Sequence, residues 1–174
     1  MTRVGIVLAL VAITIRIAGE RATELLRYER GVEVWRWATG HLVHSGWAHL
    51  GMNLFAGTLI WMLFGKRLTW VALVVAAAGV SAGLYAFSPH VEWYVGFSGV
   101  LHGVFAFGAA RAVRGGRRFW LGGLVALTTK IALEQWRGAL PGVEDAAGAA
   151  VIVDAHLYGA LAGLLAGLVR PSAR

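Results

Sequence analysis

The sequence predicts an all-α membrane protein, a bundle of six transmembrane helices forming a single domain over residues 1–174. Hydrophobic residues make up 58% of the chain and charged residues 14%, whereas an average soluble domain is about 25% charged. A helix needs about 20 apolar residues to cross a bilayer, so this chain accommodates about six such helices with short loops. We expect no separate soluble domain beside them.

Six apolar runs give the positions of the predicted helices. The runs lie at residues 4–18, 47–64, 68–87, 93–113, 119–133 and 146–169. Several are shorter than about 20 residues, which implies tilted helices or a locally thinned bilayer. The first run is expected to be a retained anchor and not a signal peptide, because Arg16 lies inside it and no small-residue cleavage site follows.

The charged residues predict which way the helices cross the membrane. With six helices, one side receives nine bases and no acids, namely Arg3, Lys66, Arg67, Arg111, Arg114, Arg117, Arg118, Arg170 and Arg174. The other side receives all nine acids, Glu134 among them, and the remaining bases, Lys130 among them. Because Lys and Arg concentrate in short cytoplasmic loops, both termini are predicted to be cytoplasmic. The positive net charge is thereby explained by topology, and no nucleic-acid partner is expected.

One stretch, residues 96–103, presents a serine hydroxyl among glycines at the start of an apolar run. Gly96 and Gly99 carry no Cβ, so another helix or a substrate backbone can approach Ser98 closely. A serine hydroxyl becomes a useful nucleophile when a neutral imidazole takes its proton. Ser98 is therefore the candidate nucleophile.

Two histidines are candidates for the base. His102 follows Ser98 by four residues and shares its helix face, which makes it a neighbour or an orienting residue. His156 begins another run, and the glycines on both runs are spaced for close helix contact. His156 is the predicted base.

A second group of polar residues begins the run at 47–64. His49 and Asn53 stand four residues apart and are the predicted donors to the oxyanion of a tetrahedral intermediate, together with the backbone N–H of Ser98. With the predicted topology, all these residues lie in one layer near the outer face. His41 and His90 are expected to face the outer interface without a role.

Three blocks in this order resemble the motifs of rhomboid intramembrane serine proteases. They are His44-(four residues)-His49-(three residues)-Asn53, the Gly-Phe-Ser-Gly stretch at 96–99 and the Ala-His-(two residues)-Gly stretch at 155–159. The resemblance implies a six-helix rhomboid-like bundle and a serine endopeptidase. It also implies that a Ser-His dyad acts without a metal or another cofactor, with the serine of the second block as nucleophile and the histidine of the third as base.

Further features resemble the rhombosortase subfamily. His102 stands where many rhomboids have a tyrosine, the loop between the first two predicted spans is short, and the stretches at 35–41 and 96–103 are similar to that subfamily. This resemblance implies a multi-pass protease of the bacterial inner membrane, opening to the periplasm. Its partners would be membrane lipid and a transmembrane protein substrate with a C-terminal anchor of glycine-glycine, a membrane helix and a basic cluster. Hydrolysis and acyl transfer to an amine both stay open.

Two other function classes are weighed against the protease. His49, Asn53, His102 and His156 are a possible set of metal ligands for a metal-dependent membrane hydrolase, although no carboxylate is expected among them and Ser98 would then be idle. A catalytically inactive relative that binds transmembrane helices is the other class, and the presence of both Ser98 and His156 argues against it. The chain has no cysteine, which excludes thiolate catalysis and disulfides.

Overall fold

The computed structural model describes residues 2–65 and 67–169, which contain nine α-helices and one pair of short strands. The elements are α1 (Thr2–Ile17), α2 (Glu20–Leu26), β1 (Tyr28–Glu29), α3 (Arg36–Thr39), a 3-10 turn (Gly40–Leu42), α4 (Trp47–Phe64), α5 (Trp70–Phe87), β2 (Trp93–Tyr94), α6 (Ser98–Arg114), α7 (Trp120–Arg137), α8 (Val143–Ala147) and α9 (Val153–Leu168). Of the bases used to predict the orientation, Lys66, Arg170 and Arg174 lie outside the described residues.

Each predicted run corresponds to one long helix, but the number of membrane spans is not confirmed. Within residues 2–65 and 67–169, α4 and α5 are the two helices that combine 18 residues with a composition apolar enough to cross a bilayer. The helices α1 and α9 have only 16 residues each, and α7 carries charged residues in its last two turns. The count of six spans therefore stays a prediction.

Helix α6 lies at the centre of the bundle, and α9 packs against it through glycines. A Cβ at Gly159 would overlap the carbonyl oxygen of Gly99, and a Cβ at Gly163 would overlap that of Gly103. The other side of α9 contacts α5, where Gly83 accommodates the ring of Tyr158. The predicted close contact between the runs at 93–113 and 146–169 is therefore confirmed.

Two predicted helix starts are wrong, and both errors have the same cause. The run at 93–113 begins with β2, which pairs antiparallel with β1, and the chain turns at Gly96 (φ 116°) before α6 starts. The run at 146–169 includes the end of α8, which is closed by Gly148 (φ 66°), and α9 starts only at Val153. A positive φ interrupts a helix without changing hydropathy, so the apolar pattern does not reveal it.

The segment between α1 and α4 packs against the C-terminal end of α5. Arg30 holds it to the end of α5, because its guanidinium donates to the carbonyl oxygens of Leu84 at 2.6 Å and Ser88 at 2.9 Å. The expectation that His41 faces the outer interface is wrong. Its side chain is 2% exposed, and its Nε2 lies 3.2 Å from the carbonyl oxygen of Ala77. His90 is exposed, as expected.

Candidate active site

Ser98 and His156 come together where α6 and α9 begin. Ser98 is the first residue of α6, and His156 lies in the first turn of α9. The Nε2 atom of His156 is 3.0 Å from the Oγ atom of Ser98. The glycine contacts between the two helices bring these side chains within hydrogen-bond distance, so the pair singled out in the sequence is adjacent in the fold.

A glutamate, one of the nine acids predicted to lie on the outer side, contacts this pair. Glu134, near the end of α7, lies 2.9 Å from the Nδ1 atom of His156, and its side chain is 2% exposed. Lys130, one turn earlier on α7, donates to the other carboxylate oxygen of Glu134 at 2.6 Å. The available signal was the four-residue spacing of Lys130 and Glu134 at the end of the apolar run 119–133, since such a pair shares one helix face.

His102 stacks on His156. The two rings are 17° from parallel with centroids 4.0 Å apart, and the Nδ1 atom of His102 lies 2.8 Å from the carbonyl oxygen of Ser98. The Nε2 atom of His102 is 3.0 Å from the ammonium nitrogen of Lys130. Stacking between these two histidines was one expectation for His102, and it is present.

His49 and Asn53 face the same space from α4. The amide nitrogen of Asn53 donates to the carbonyl oxygen of His49 at 2.9 Å, and its Oδ1 is buried without a hydrogen-bond partner among the described residues. The Nδ1 atom of His49 lies 3.0 Å from the hydroxyl of Ser45. A Cβ at Gly96 would lie 2.8 Å from Nε2 of His49, so only glycine leaves that ring its place.

Two residues outside the long helices support His49 and Gly96. The ring of His44 packs edge-on against that of His49 with centroids 5.0 Å apart, and burial lowers the pKa of His44 to about 4, which keeps it neutral. The phenol of Tyr94 donates to the carbonyl oxygen of Gly96 at 2.6 Å, and burial raises the pKa of Tyr94, so this donor stays protonated. Gly99 packs on the carbonyl oxygen of Ala155.

Ser98, His156 and their polar neighbours line one cavity of about 550 Å³ between α4, α6, α7 and α9. Its polar wall holds Ser98, His102, His156, His49, Asn53, Lys130 and Glu134. Its remaining wall is apolar, with Met52, Leu101, Phe105 and Leu127 among the lining residues. A cavity of this volume is within the range of ligand-binding clefts.

The donors beside Ser98 include a possible set of metal ligands. The expectation that no carboxylate lies among the histidines is wrong, because ligand atoms of His102, Glu134 and His156 lie within 4.8 Å of one another. However, Lys130 already bonds to both His102 and Glu134, so an ammonium group supplies the positive charge there. A metal ion would have to displace Lys130, and the donor set therefore fits a metal poorly.

Comparison with known protein families assigns the chain to one family. A model of the rhomboid domain matches residues 31–172. The chain belongs to the rhomboid family. Rhomboid proteins are integral membrane proteins and intramembrane serine proteases that act on transmembrane substrates. No curated protein matches the chain closely enough to narrow this assignment.

The rhomboid match covers all the polar residues of the cavity. It begins at residue 31, after α1, α2 and β1, and it ends at residue 172. The matched part therefore contains α4, α6 and α9, which carry the three sequence blocks noted above, and also α7, which carries Lys130 and Glu134.

Proposed function

We propose that this rhomboid protein is a serine-type intramembrane endopeptidase in which Ser98 is the nucleophile and His156 the general base. The proposal is carried by the 3.0 Å contact between Ser98 Oγ and His156 Nε2, which has the length of a nucleophile–base hydrogen bond. The pair lies in a cavity shared with further hydrogen-bond donors, as an acyl-transfer site requires.

In the proposed reaction, Ser98 Oγ attacks the scissile carbonyl carbon while its proton passes to His156 Nε2. Three donors surround the developing oxyanion: the backbone N–H of Ser98, the ring of His49 and the amide of Asn53. The first N–H groups of a helix have no partner within the helix, so that of Ser98 is free to donate. We assign the Ser45 hydroxyl as donor to Nδ1 of His49, so that Nε2 carries the proton and can donate. Collapse of the intermediate then releases the amine with the proton from His156, and deacylation frees Ser98.

The proposed substrate is a transmembrane protein whose helix is partly unwound near the scissile bond. An intact helix keeps its carbonyls hydrogen-bonded, and glycine or other small residues ease the unwinding. The rhombosortase-like stretches at 35–41 and 96–103 support a substrate with a C-terminal glycine-glycine anchor. The acyl group then passes to water or to an amine.

We place this activity in the bacterial inner membrane, with residues 1–174 forming one six-span domain. The nine bases assigned to the side of the termini support cytoplasmic N- and C-termini. The same topology puts the starts of α4, α6 and α9 near the periplasmic face. The active site would therefore open to the periplasm.

Labelling with a fluorophosphonate tests the proposed chemistry directly. The detergent-solubilised protein, the Ser98→Ala variant and a chelator-treated sample are compared by mass spectrometry. We expect one adduct on Ser98 that survives chelation and is missing in the variant. Loss of labelling on chelation would favour a metal-dependent hydrolase, and absence of any adduct on the folded protein would favour an inactive helix-binding relative.

A matched pair of substrates tests the proposed specificity. One reporter carries glycine-glycine directly before its C-terminal membrane helix, and its control carries leucine-leucine there. We expect cleavage of the first and little of the second. Equal cleavage of both would leave the protease assignment intact and remove the rhombosortase-like specificity.

A further inference from the structure

We propose that Glu134 is a positioning residue of this site, part of a closed hydrogen-bonded ring that fixes His156 in the tautomer able to accept the Ser98 proton. The ring runs from Ser98 through His156, Glu134, Lys130 and His102 back to Ser98. This inference rests on the proposed roles of Ser98 and His156. It adds three residues, Glu134, Lys130 and His102, to the pair that the motifs indicate as a dyad.

Lys130 determines which atoms donate and which accept in the hydrogen bonds of His102. A charged ammonium group only donates, so Nε2 of His102, 3.0 Å from Lys130 Nζ, must be the acceptor. A neutral imidazole with Nε2 as acceptor carries its proton on Nδ1. Nδ1 of His102 lies 2.8 Å from the carbonyl oxygen of Ser98, which only accepts. The two contacts of His102 therefore require the same tautomer.

Glu134 determines which atoms donate and which accept in the hydrogen bonds of His156. Its Oε1 atom accepts from Lys130 at 2.6 Å and its Oε2 atom lies 2.9 Å from Nδ1 of His156. A carboxylate only accepts, so Nδ1 of His156 carries the proton and Nε2 carries the lone pair. That lone pair faces Ser98 Oγ at 3.0 Å. The serine hydroxyl therefore donates to His156, which is the arrangement that general-base catalysis needs.

Burial makes this arrangement stiff. The side chains of Glu134 and His156 are 2% and 5% exposed, and each oxygen of Glu134 has its own partner on a different residue. Rotation of the carboxylate would break both contacts and leave a buried charge without partners, which is costly. The stacked ring of His102 covers one face of His156 and restricts its tilt.

The ring also provides for the charge that forms during the reaction. When the Oγ–C bond forms, the proton moves from Ser98 Oγ to His156 Nε2, and the carbonyl π electrons move to the oxyanion. His156 is then an imidazolium ion beside the Glu134 carboxylate, which stays ionised and takes no proton. Cleavage of the C–N bond returns the Nε2 proton to the leaving amine, so the ring is restored for deacylation.

The test compares Glu134→Gln and Glu134→Asp with Glu92→Gln, the same chemical change at an exposed glutamate outside the ring. With a membrane-anchored reporter, we expect Glu134→Gln to lower kcat by roughly 10³- to 10⁴-fold with little change in KM, because its amide NH₂ stabilises the wrong tautomer. Glu134→Asp should recover part of this loss, and Glu92→Gln should match the wild type. A kcat for Glu134→Gln within a few-fold of the wild type would overturn the proposal.

Nitrogen NMR of protein labelled at histidine gives a readout that does not depend on turnover. We expect His156, assigned by its loss in His156→Gln, to carry its proton on Nδ1 in the wild type and to change tautomer in Glu134→Gln. A wild-type His156 protonated on Nε2 would refute the ring even if Glu134→Gln fails to fold. Turnover that survives Ser98→Ala would instead refute the proposed function. The NMR spectra would then test the hydrogen-bonded ring on their own.

Discussion

The imidazole rings of His102 and His156 lie face to face, with centroids 4.0 Å apart and planes 17° from parallel. His102 lies four positions after Ser98 on α6, and its ring reaches across to His156 on α9. The contact combines packing on the base with a hydrogen bond to the backbone of the nucleophile. Its value for catalysis can be measured.

Replacing His102 by tyrosine keeps an aromatic face and removes the ring nitrogens. A tyrosine hydroxyl can accept from Lys130, but the bond to the carbonyl oxygen of Ser98 is lost, which is worth about 1 kcal/mol. We expect His102→Tyr to lower kcat by roughly 5- to 10-fold. His90→Tyr, at an exposed position, is the control. Unchanged turnover in His102→Tyr would mean that stacking alone is what this position requires.

Removal of the nucleophile or of the base should abolish turnover while the protein still folds. Ser98→Ala and His156→Ala each break the 3.0 Å contact between the two residues without adding volume. Turnover is measured with the membrane-anchored reporter, and folding by thermal unfolding in detergent. If both variants failed to fold, a structural role would explain the loss of activity, and the assigned catalytic roles would be undermined.

Asn53→Ala should weaken turnover without abolishing it. Losing one donor to an oxyanion costs about 3 kcal/mol, so we expect kcat to fall by roughly 10²-fold, with His49 and the backbone still donating. Thr58→Ala is the matched control on the same helix, because Thr58 also bonds to the backbone one turn earlier. A fall as complete as in Ser98→Ala would point to a structural role for Asn53.

Two glycines with different surroundings test the packing of α9. A Cβ at Gly163 would overlap the carbonyl oxygen of Gly103, whereas a Cβ at Gly122 on α7 meets nothing within 4 Å. We expect Gly163→Ala to destabilise the fold by about 2 kcal/mol or more, because the helices must separate. Gly122→Ala should stabilise it by roughly 0.5–1 kcal/mol through helix propensity. Thermal unfolding of both variants in the same detergent measures these changes in stability. Equal shifts of the unfolding temperature would contradict the packing described.

Acid should destabilise the protein through His41. Burial lowers the pKa of His41 from its ordinary value of 6.5 to about 4, and its neighbours are the hydroxyl of Ser81 and the ring edge of Tyr94. Between these values the unfolded chain binds a proton that the folded protein does not, so stability is complete above pH 6.5 and falls as the pH drops toward 4. The loss is on the order of 3 kcal/mol.

The variant His41→Gln keeps a donor and does not titrate. Because burial also lowers the pKa of His44 to about 4, we expect His41→Gln to remove part of the acid sensitivity and not all of it. Unfolding temperatures between pH 4 and 7 measure the acid sensitivity of the variant and of the wild type. His90→Gln is the control, because that ring is exposed, and the same flattening in both variants would show that burial of His41 is not the cause.

The sequence indicates the pairing of Ser98 with His156 because helix contact through small residues leaves a local pattern of glycines. It does not indicate Glu134, since a glutamate near the end of an apolar run usually faces water, and its burial depends on how α7 is rotated toward α9. Burial of His41 depends in the same way on how the segment before α4 folds over Ser81. The starts of α6 and α9 were missed because Gly96 and Gly148 change backbone direction within apolar surroundings.

The backbone contact between α6 and α9 makes the geometry of the site independent of the residues on the membrane-facing surface. Because a Cβ at Gly159 or Gly163 would overlap a carbonyl oxygen of α6, the spacing between the helices that carry Ser98 and His156 is set at these points by backbone contact. Substitutions among lipid-facing residues, or a bilayer of different thickness, alter the outside of the bundle without altering that spacing. We therefore expect substitutions on the exposed faces of α1, α4 and α5 to leave the distance between Ser98 and His156 unchanged, whereas a side chain added at Gly99, Gly103, Gly159 or Gly163 would increase it.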